Sequence, residues 1–511
     1  MLSLCLTAYA ARQRTHHKSN STVRQMTRSA APHRALSKPN TNWDAQKTYR
    51  VPVILMSFTD LDFSCENPQQ FYDRMFNEKG YNLGLGPGCV ADYFRDQSGG
   101  LFNIKFDVAG PIKVTTKQKS TSDNNYGTNQ FKEAIKMADE QFNYADYDWD
   151  GDSKVETVIF VYAGYGGNEV VSSAHGCIWP NTDNLYNQTY DGVKIDAYSA
   201  SPELWTENTS CGIGTICHEF CHVLGLPDLY PTSGDEFSVV DEWDLMDGGN
   251  YADDGWCPPN LSTQEREYLG WSYPEDLSEA TTITDMPSFD KSGKAYRIVN
   301  DANPDEYYLL ENRQWEGWDL MLPNHGLLIT HVDFNTYAWQ GNYVNSTPTH
   351  HRLEYFHADN HDYNWYEDWL DTYPYGSDGR NLRLQYTSYP YVDAEKVTHD
   401  ALTDTSVPAA TIFNPGADGK LLMGKPITDI REKDGLISFL FKAHNVIAGD
   451  VNGDGVVTEK DIVAVVNYTM SPSSAAIDLS SADVNHDGVV NVADVVMIAN
   501  MIISTGVNTT P

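Results

Sequence analysis

The sequence predicts a multidomain chain: an α/β unit over 46–284, a mostly β extension over 285–445 and a small helical module over 446–511. Three observations predict this. Strand-like and helical runs alternate before Trp271, strand-like runs separated by Gly, Pro and Asn turns dominate after it, and an acidic twelve-residue motif recurs near the end. With 511 residues, 41% hydrophobic and 12% aromatic, the chain is folded protein too long for one core, so about two to four domains are expected.

Residues 1–45 read as a disordered signal and pro-segment. Met1 to Ala10 is short and apolar and ends in Ala8-Tyr9-Ala10, as in the cleavage region of an export signal. Arg12 to Lys38 is basic, rich in Ser and Thr and poor in acids. Tyr49 to Phe58 is a β-prone first strand. Gln69–Phe76 and Val90–Arg95 follow as helices, and Ser98-Gly99-Gly100 as a turn. Asn103 to Val108 alternates like a strand that Gly110-Pro111 stops. Asn129 to Phe142 has helical spacing, and Val155 to Ala163 is a strand closed by Gly164, Gly166 and Gly167. In the extension, Tyr296–Arg313, Gly326–Asp333 and Gly435–Lys442 are strand-like. Residues 336–400, rich in Tyr, Trp, His, Asp and Asn, have too weak a periodicity to yield an element.

The net charge of −36 argues against a nucleic-acid partner and suits binding of calcium by carboxylates. No apolar run is long enough to span a bilayer. The eight cysteines show no CxxC pair, which disfavours a zinc ribbon. They are compatible with disulfides outside the cytosol, or with a reduced core where Cys217 and Cys221 share a helix face. No nucleophile elbow, P-loop or dinucleotide fingerprint is present. The aromatics from Tyr337 to Tyr391 read as core rather than a sugar platform, and His331, His350 and His351, without partners at ligand spacing, as structural.

Cys211 to Tyr230 contains His218-Glu219-x-x-His222. On a helix, residues four apart share a face, so both imidazoles reach one zinc ion. Zinc lowers the pKa of a water molecule, and the adjacent Glu219 carboxylate is placed to accept its proton. Gly225 follows where a helix ends in a left-handed turn, Pro227 blocks continuation, and Asp228 can return as a third ligand. Asp235, Glu236, Asp241 and Glu242 are close enough in sequence to serve instead. Downstream, Asp244 to Gly249 makes a tight turn carrying Met246.

HExxHxxGxxD followed by a methionine-containing turn resembles the metzincin clan of zinc peptidases. Within it the chain resembles the immune inhibitor A (M6) family. RVPVILMSFTD, ADYFRDQSGG, YDWDGD, FVYAGYGG, HEFCHVLGLPDLY, EWDLMDGGNY, YYLLENRQ and GLLITHVDF carry the likeness, from Tyr49 to Phe441 and most strongly from Val90 to Trp271. The resemblance implies a metzincin-like catalytic domain and a zinc-dependent endopeptidase, made as a secreted precursor and acting on protein or peptide substrates. It makes His218, His222 and Asp228 the zinc ligands, Glu219 the general base and Met246 the Met-turn residue. Tyr251, five residues past Met246, takes the oxyanion-stabilising place.

The repeated motif is DVNGDGVVTEKD, with oxygen ligands at Asp450, Asn452, Asp454, Thr458 and Asp461. It recurs as DVNHDGVVNVAD, with Asp483, Asn485, Asp487, Asn491 and Asp494. Oxygens at positions 1, 3, 5, 9 and 12 with Gly at 6 match an EF-hand calcium loop, Asp replacing the usual Glu at 12. Each loop leads into an apolar helix, Ile462–Met470 and Val495–Ile503, and no comparable helix precedes it. Two such units resemble a type I dockerin, which implies calcium binding and a cohesin-type partner. Glu459 with Lys460, and Val492 with Ala493, depart from the residues usual at its docking positions. A third acidic run, Asp146, Asp148, Asp150, Gly151 and Asp152 followed by Glu156, has similar spacing and is a further calcium candidate. The competing reading is a secreted, non-catalytic adhesin with a structural zinc site, which would not require Glu219.

Overall fold

The computed structural model describes residues 41–506 apart from 120–124, 169–175, 206–208, 233–237, 362–378, 443–447, 453–455, 472–476, 478 and 486. The expected signal and lead-in, Cys5, Asp235, Glu236 and Asp454 lie outside the described residues. Strand β1 (Tyr49–Ser57, YRVPVILMS) is buried almost throughout, the signature of a central strand covered on both faces. It pairs in parallel with β2 (Ile104–Lys113) and β3 (Val158–Tyr165). An antiparallel β4 (Asn181–Asn184) and a parallel β5 (Ala197–Leu204) complete the sheet, in the order β2-β1-β3-β5-β4. Helices α1 (Pro68–Asn77), α2 (Val90–Gln97), α3 (Thr128–Ala138) and α4 (Gly214–Leu224) cover it. Because side chains alternate along a strand, Val53 and Leu55 join the core holding residues of α1, α2 and α4, while Ile54 and Met56 join the core of α3.

The expected elements appear with shifted ends, and three differ in kind. The run Val155–Ala163 breaks before Val158, and the strand that starts there continues through Gly164 to Tyr165. Gly110-Pro111 does not stop β2, which runs on to Lys113 with a register shift opposite Ile54 and Met56. A proline fits there because β2 is a sheet edge, where the missing N–H breaks no ladder. The run Tyr296–Arg313 is two antiparallel strands rather than one, turning at Asp301 and Ala302.

The extension begins after α5 (Thr263–Tyr268). Its main sheet uses β6 (Glu275–Asp276), β8 (Ala295–Asn300), β9 (Asn303–Arg313), β10 (Gly326–Asp333) and β11 (Leu353–Tyr355). Its second sheet uses β7 (Thr281–Met286), β12 (Ile427–Lys433) and β13 (Leu436–Phe441). Tyr307, Leu309, Leu328 and Val332 face the same core as Phe220 and Met246, while Tyr308, Leu310, Leu327 and Ile329 face the second sheet. One core therefore contains residues from both sides of position 284. Arg313, fully buried, reinforces the join: it pairs with Glu311 and Asp319 and donates to Asn260 O at 3.2 Å. A short helix α6 (Thr336–Gln340) follows β10, in the stretch whose sequence yields no element.

The C-terminal segment has its own core of Val451, Val465, Ala482, Val484 and Ile498. Its helices, α7 (Glu459–Met470) and α8 (Val492–Gly506), start before the expected Ile462 and Val495. Thr458 and Asp461 cap α7 reciprocally, which draws its first turn back toward the loop. No disulfide joins the described cysteines. Cys89, Cys217, Cys221 and Cys257 are buried thiols, and burial pushes all four up, Cys89 to about 12. Among the described residues no helix is long and apolar enough to cross a membrane.

Leu309 is fully buried in the shared core. Leu309→Ala is expected to cost about 2–5 kcal/mol in urea unfolding, and a chain ending at residue 284 to lose its cooperative transition. Unchanged cooperativity in the shortened chain would show that the extension is an independent body.

Candidate metal centre

Helix α4 (GTICHEFCHVL) is buried along its whole length. Glycine is required at its start, since a Cβ on Gly214 would lie 2.0 Å from Asn250 O. At its end Gly225 adopts φ 107, and its N–H returns to the Cys221 and His222 carbonyls. Cys217, Phe220, Cys221 and Leu224 enter the core, with the Phe220 ring 5.0 Å from Phe94. His218 and His222, one turn apart, are left with ring centroids 4.8 Å apart.

Each histidine is oriented from behind. His218 Nδ1 lies 2.9 Å from Leu245 O, and His222 Nδ1 lies 2.8 Å from Leu226 O. A carbonyl only accepts, so both Nδ1 atoms carry hydrogen, and in the neutral rings both Nε2 atoms present lone pairs. Those atoms face Asp228 Oδ1 at 3.3 Å and 3.2 Å. Oδ1 is buried and accepts no hydrogen bond. Three electron-rich atoms converge where nothing but a proton or a cation relieves their repulsion, and the imidazole–imidazole–carboxylate set suits zinc. Asp228, rather than Asp241 or Glu242, completes the cluster.

Burial alone would lower His222, but the Asp228 carboxylate outweighs it and raises His222 to about 9. Burial would raise Asp228, yet the His222 and His218 charges hold it well below the carboxylate range. Burial pushes Glu219 upward, opposed by His218, His222 and Thr182. Thr182, on the edge strand β4, places its Oγ 2.7 Å from Glu219 O and 2.9 Å from Oε2, fixing the carboxylate beside the cluster.

The turn carrying Met246 supports the cluster through its backbone. Leu245 O receives His218, and Met246 O receives Leu229 N at 2.9 Å. The Met246 side chain is fully buried in the core. Tyr251 packs its ring beside Trp205 (centroids 5.0 Å) and takes a hydrogen bond from Asn168 Nδ2 (3.4 Å), both outside the cluster. Tyr230, which the motif spacing does not single out, lies nearly parallel to the His218 ring, 8° between planes and centroids 6.5 Å apart. Thr182 and Asn342 also escape sequence reasoning, because they reach the site from strands and loops with no motif of their own. Asn342 donates to Asp228 Oδ2 at 2.7 Å.

The acidic loop near Trp149 gathers a different set from the expected one. Asp148, Asp150 and Glu156 bring ligand oxygens within 4.8 Å of one another. Asp146 turns away to Arg50 Nη1 at 3.1 Å, and Asp152 pairs with Lys154, each drawn by a cation. Burial, with the Asp150 and Asp148 charges adding to it, pushes Glu156 up to about 8.

In the first C-terminal loop Asp461 accepts from Val451, Asn452 and Thr458 N–H groups, and Thr458 caps α7. In the second, Asp494 accepts from Asn485 and Asn491, and Asp483 from Asp487 and Gly488. Asn485 Nδ2 donates to Asp487 Oδ2 at 3.0 Å. Backbone amides thus hold carboxylates here, and among the described residues Asp483, Asp487 and Asp494 are not drawn into one cluster.

The α/β domain thus holds a histidine–carboxylate cluster, and a two-helix module with its own core lies near the C-terminus. Residues 44–274 match the family model of the immune inhibitor A peptidase M6 catalytic domain, and residues 448–503 match that of the dockerin type I domain. The chain therefore carries an M6 peptidase domain and a type I dockerin. Among curated relatives it is 23% identical over 271 residues to the pre-pro-metalloprotease PrtV of Vibrio cholerae serotype O1 (strain M66-2), covering 45% of this chain and 28% of that protein. It is 25% identical over 283 residues to immune inhibitor A of Bacillus thuringiensis subsp. alesti, covering 45% of this chain and 40% of that protein. The chain thus spans less than half the length of these relatives.

A divalent ion entering at neutral pH has to displace the proton that Asp228 retains on His222 up to about 9. Zinc affinity, followed by competition with a chromophoric chelator, is expected to rise about tenfold per pH unit between about 7 and 8 and to flatten above about 9. A flat profile across that range contradicts a proton held on His222 by Asp228 in the metal-free protein.

Proposed function

We propose that this chain is a zinc-dependent endopeptidase of metzincin-like fold, exported from the cell, with protein segments as substrates. The observation that carries the reading is the convergence of two imidazole Nε2 atoms on one buried carboxylate oxygen of Asp228, next to Glu219. His218, His222 and Asp228 hold the ion in this reading, and Met246 underlies it. Zinc, when bound, supplies Lewis acidity toward a scissile carbonyl and toward water.

Glu219 handles the protons. Thr182 occupies Oε2, so Oε1 accepts a proton from the attacking water and later delivers it to the leaving amine. Burial supports the first transfer, because it raises the carboxylate's affinity for a proton. A purely structural metal site needs no such base, which disfavours the adhesin reading. Tyr251 and Tyr230 are the hydroxyl-bearing residues nearest in sequence to the turn and the cluster, and they are the candidates to stabilise a developing oxyanion.

The C-terminal module is proposed to bind calcium through Asp450, Asn452, Asp454, Thr458 and Asp461, and through Asp483, Asn485, Asp487, Asn491 and Asp494. In this reading ion binding turns the loop carboxylates away from the backbone amides. The Asp148, Asp150 and Glu156 group is proposed as a third calcium site. Exposed Val463, Val492 and Val496 offer an apolar face to a cohesin-type partner, which would tether the enzyme outside the cell.

The chain beginning at Asn42, loaded with zinc and calcium, is expected to cleave an unfolded protein in a chelator-sensitive way. Glu219→Ala should lower kcat/KM by about 10²–10⁴-fold while retaining zinc. Equal cleavage by this variant would remove Glu219 as the base, and zinc retention without any cleavage by the parent chain would favour the adhesin reading.

A further inference from the structure

We propose that Asn342, in the β-rich extension, is a positioning residue for the metal centre, so that the site is completed from outside the matched catalytic segment. The proposal rests on the reading of Asp228 as third metal ligand. The loop from Gly225 to Thr232 contains no strand or helix, so nothing within it sets the direction of the Asp228 carboxylate. Asn342 sets it by a reciprocal pair of hydrogen bonds. Asp228 N–H donates to Asn342 Oδ1 at 2.6 Å, and Asn342 Nδ2 donates to Asp228 Oδ2 at 2.7 Å.

The amide can sit only one way round, because a backbone N–H only donates and a carboxylate only accepts. Both residues are buried, Asn342 at 8% exposure and Asp228 at 5%. The division of the carboxylate follows: Oδ2 is taken by the amide, and Oδ1, which accepts nothing, is left facing both Nε2 atoms. A neutral donor also suits the task, since a Lys or Arg in its place would cancel the charge that attracts the ion.

Asn342 is itself fixed. It stands at φ 56, a left-handed conformation that asparagine tolerates and most residues do not. It directly follows Gly341, which closes α6, and its carbonyl accepts Thr232 Oγ1 at 2.8 Å. Nearby, Asn345 Nδ2 bridges Leu229 O (2.8 Å) and Leu353 O (2.7 Å), tying the ligand loop to β11. The match to the M6 catalytic domain ends at residue 274, well before this loop.

The test uses the full chain and two variants. Asn342→Gly removes the amide while allowing the left-handed backbone, and Asn342→Asp keeps the shape but replaces the Nδ2 donor by an acceptor. Ser346→Ala, which removes the hydrogen bonds to Thr232 N–H and Oγ1 and so loosens the same loop without touching Asn342 or the carboxylate, is the control. Zinc affinity by chelator competition is expected to fall about 10–100-fold in both variants and to stay near wild type in the control. The visible spectrum of the cobalt-loaded protein should change in both variants but not in the control. Parental affinity and spectrum in both variants would overturn the proposal while leaving the metal site standing. Equal losses in the control would reduce Asn342 to general loop packing and overturn it too. A wild-type chain that binds no zinc would overturn both the proposal and the metallopeptidase reading.

Discussion

Two backbone carbonyls decide what the centre of this molecule can do. By accepting from Nδ1, Leu245 O and Leu226 O leave both Nε2 lone pairs pointing at Asp228. Neither carbonyl is in place without further structure. Leu226 is turned back by the left-handed Gly225, and Leu245 is presented by the tight turn that also seats Met246. A different helix ending or a looser turn would free the imidazole rings to rotate, and the cluster would lose its common focus.

The same constraint explains why the fold is thick around α4. The helix has no solvent-facing side, so each of its faces has to be matched by other chain. Phe220 meets the aromatic cluster of Phe94 and Phe102, Glu219 meets β4 through Thr182, and the loop carrying Asp228 meets the extension. The extension is thus part of the support for the site, and its main sheet serves two cores by the ordinary alternation of a strand.

Much of this was legible from the residues, and the remainder was hidden for identifiable reasons. Strand β1 and helix α4 declare themselves because a buried β-branched run and a helix closed by Gly225 and Pro227 are local signals. His218, Glu219, His222 and Asp228 follow from spacing along one helix and its cap. Thr182 and Asn342 could not be found that way, since a single Thr or Asn carries no pattern and its partner lies 37 or 114 positions away. Gly110-Pro111 misled for a related reason: whether a proline ends a strand depends on which neighbours that strand has. Asp146 and Asp152 have the spacing of a calcium loop, and their pairing with Arg50 and Lys154 is a feature that loop spacing does not encode.

The buried thiols have a consequence for the lifetime of the molecule. In the folded chain Cys89, Cys217, Cys221 and Cys257 are shielded, and their raised proton affinity leaves almost no thiolate to react. An oxidant therefore finds these four sulfurs inert for as long as the core stays closed. Once the core opens, the same sulfurs regain ordinary reactivity and are free to pair with one another or with other chains. In an oxidising medium unfolding becomes a one-way event, and endurance there is governed by how rarely the core opens rather than by the equilibrium between folded and unfolded forms.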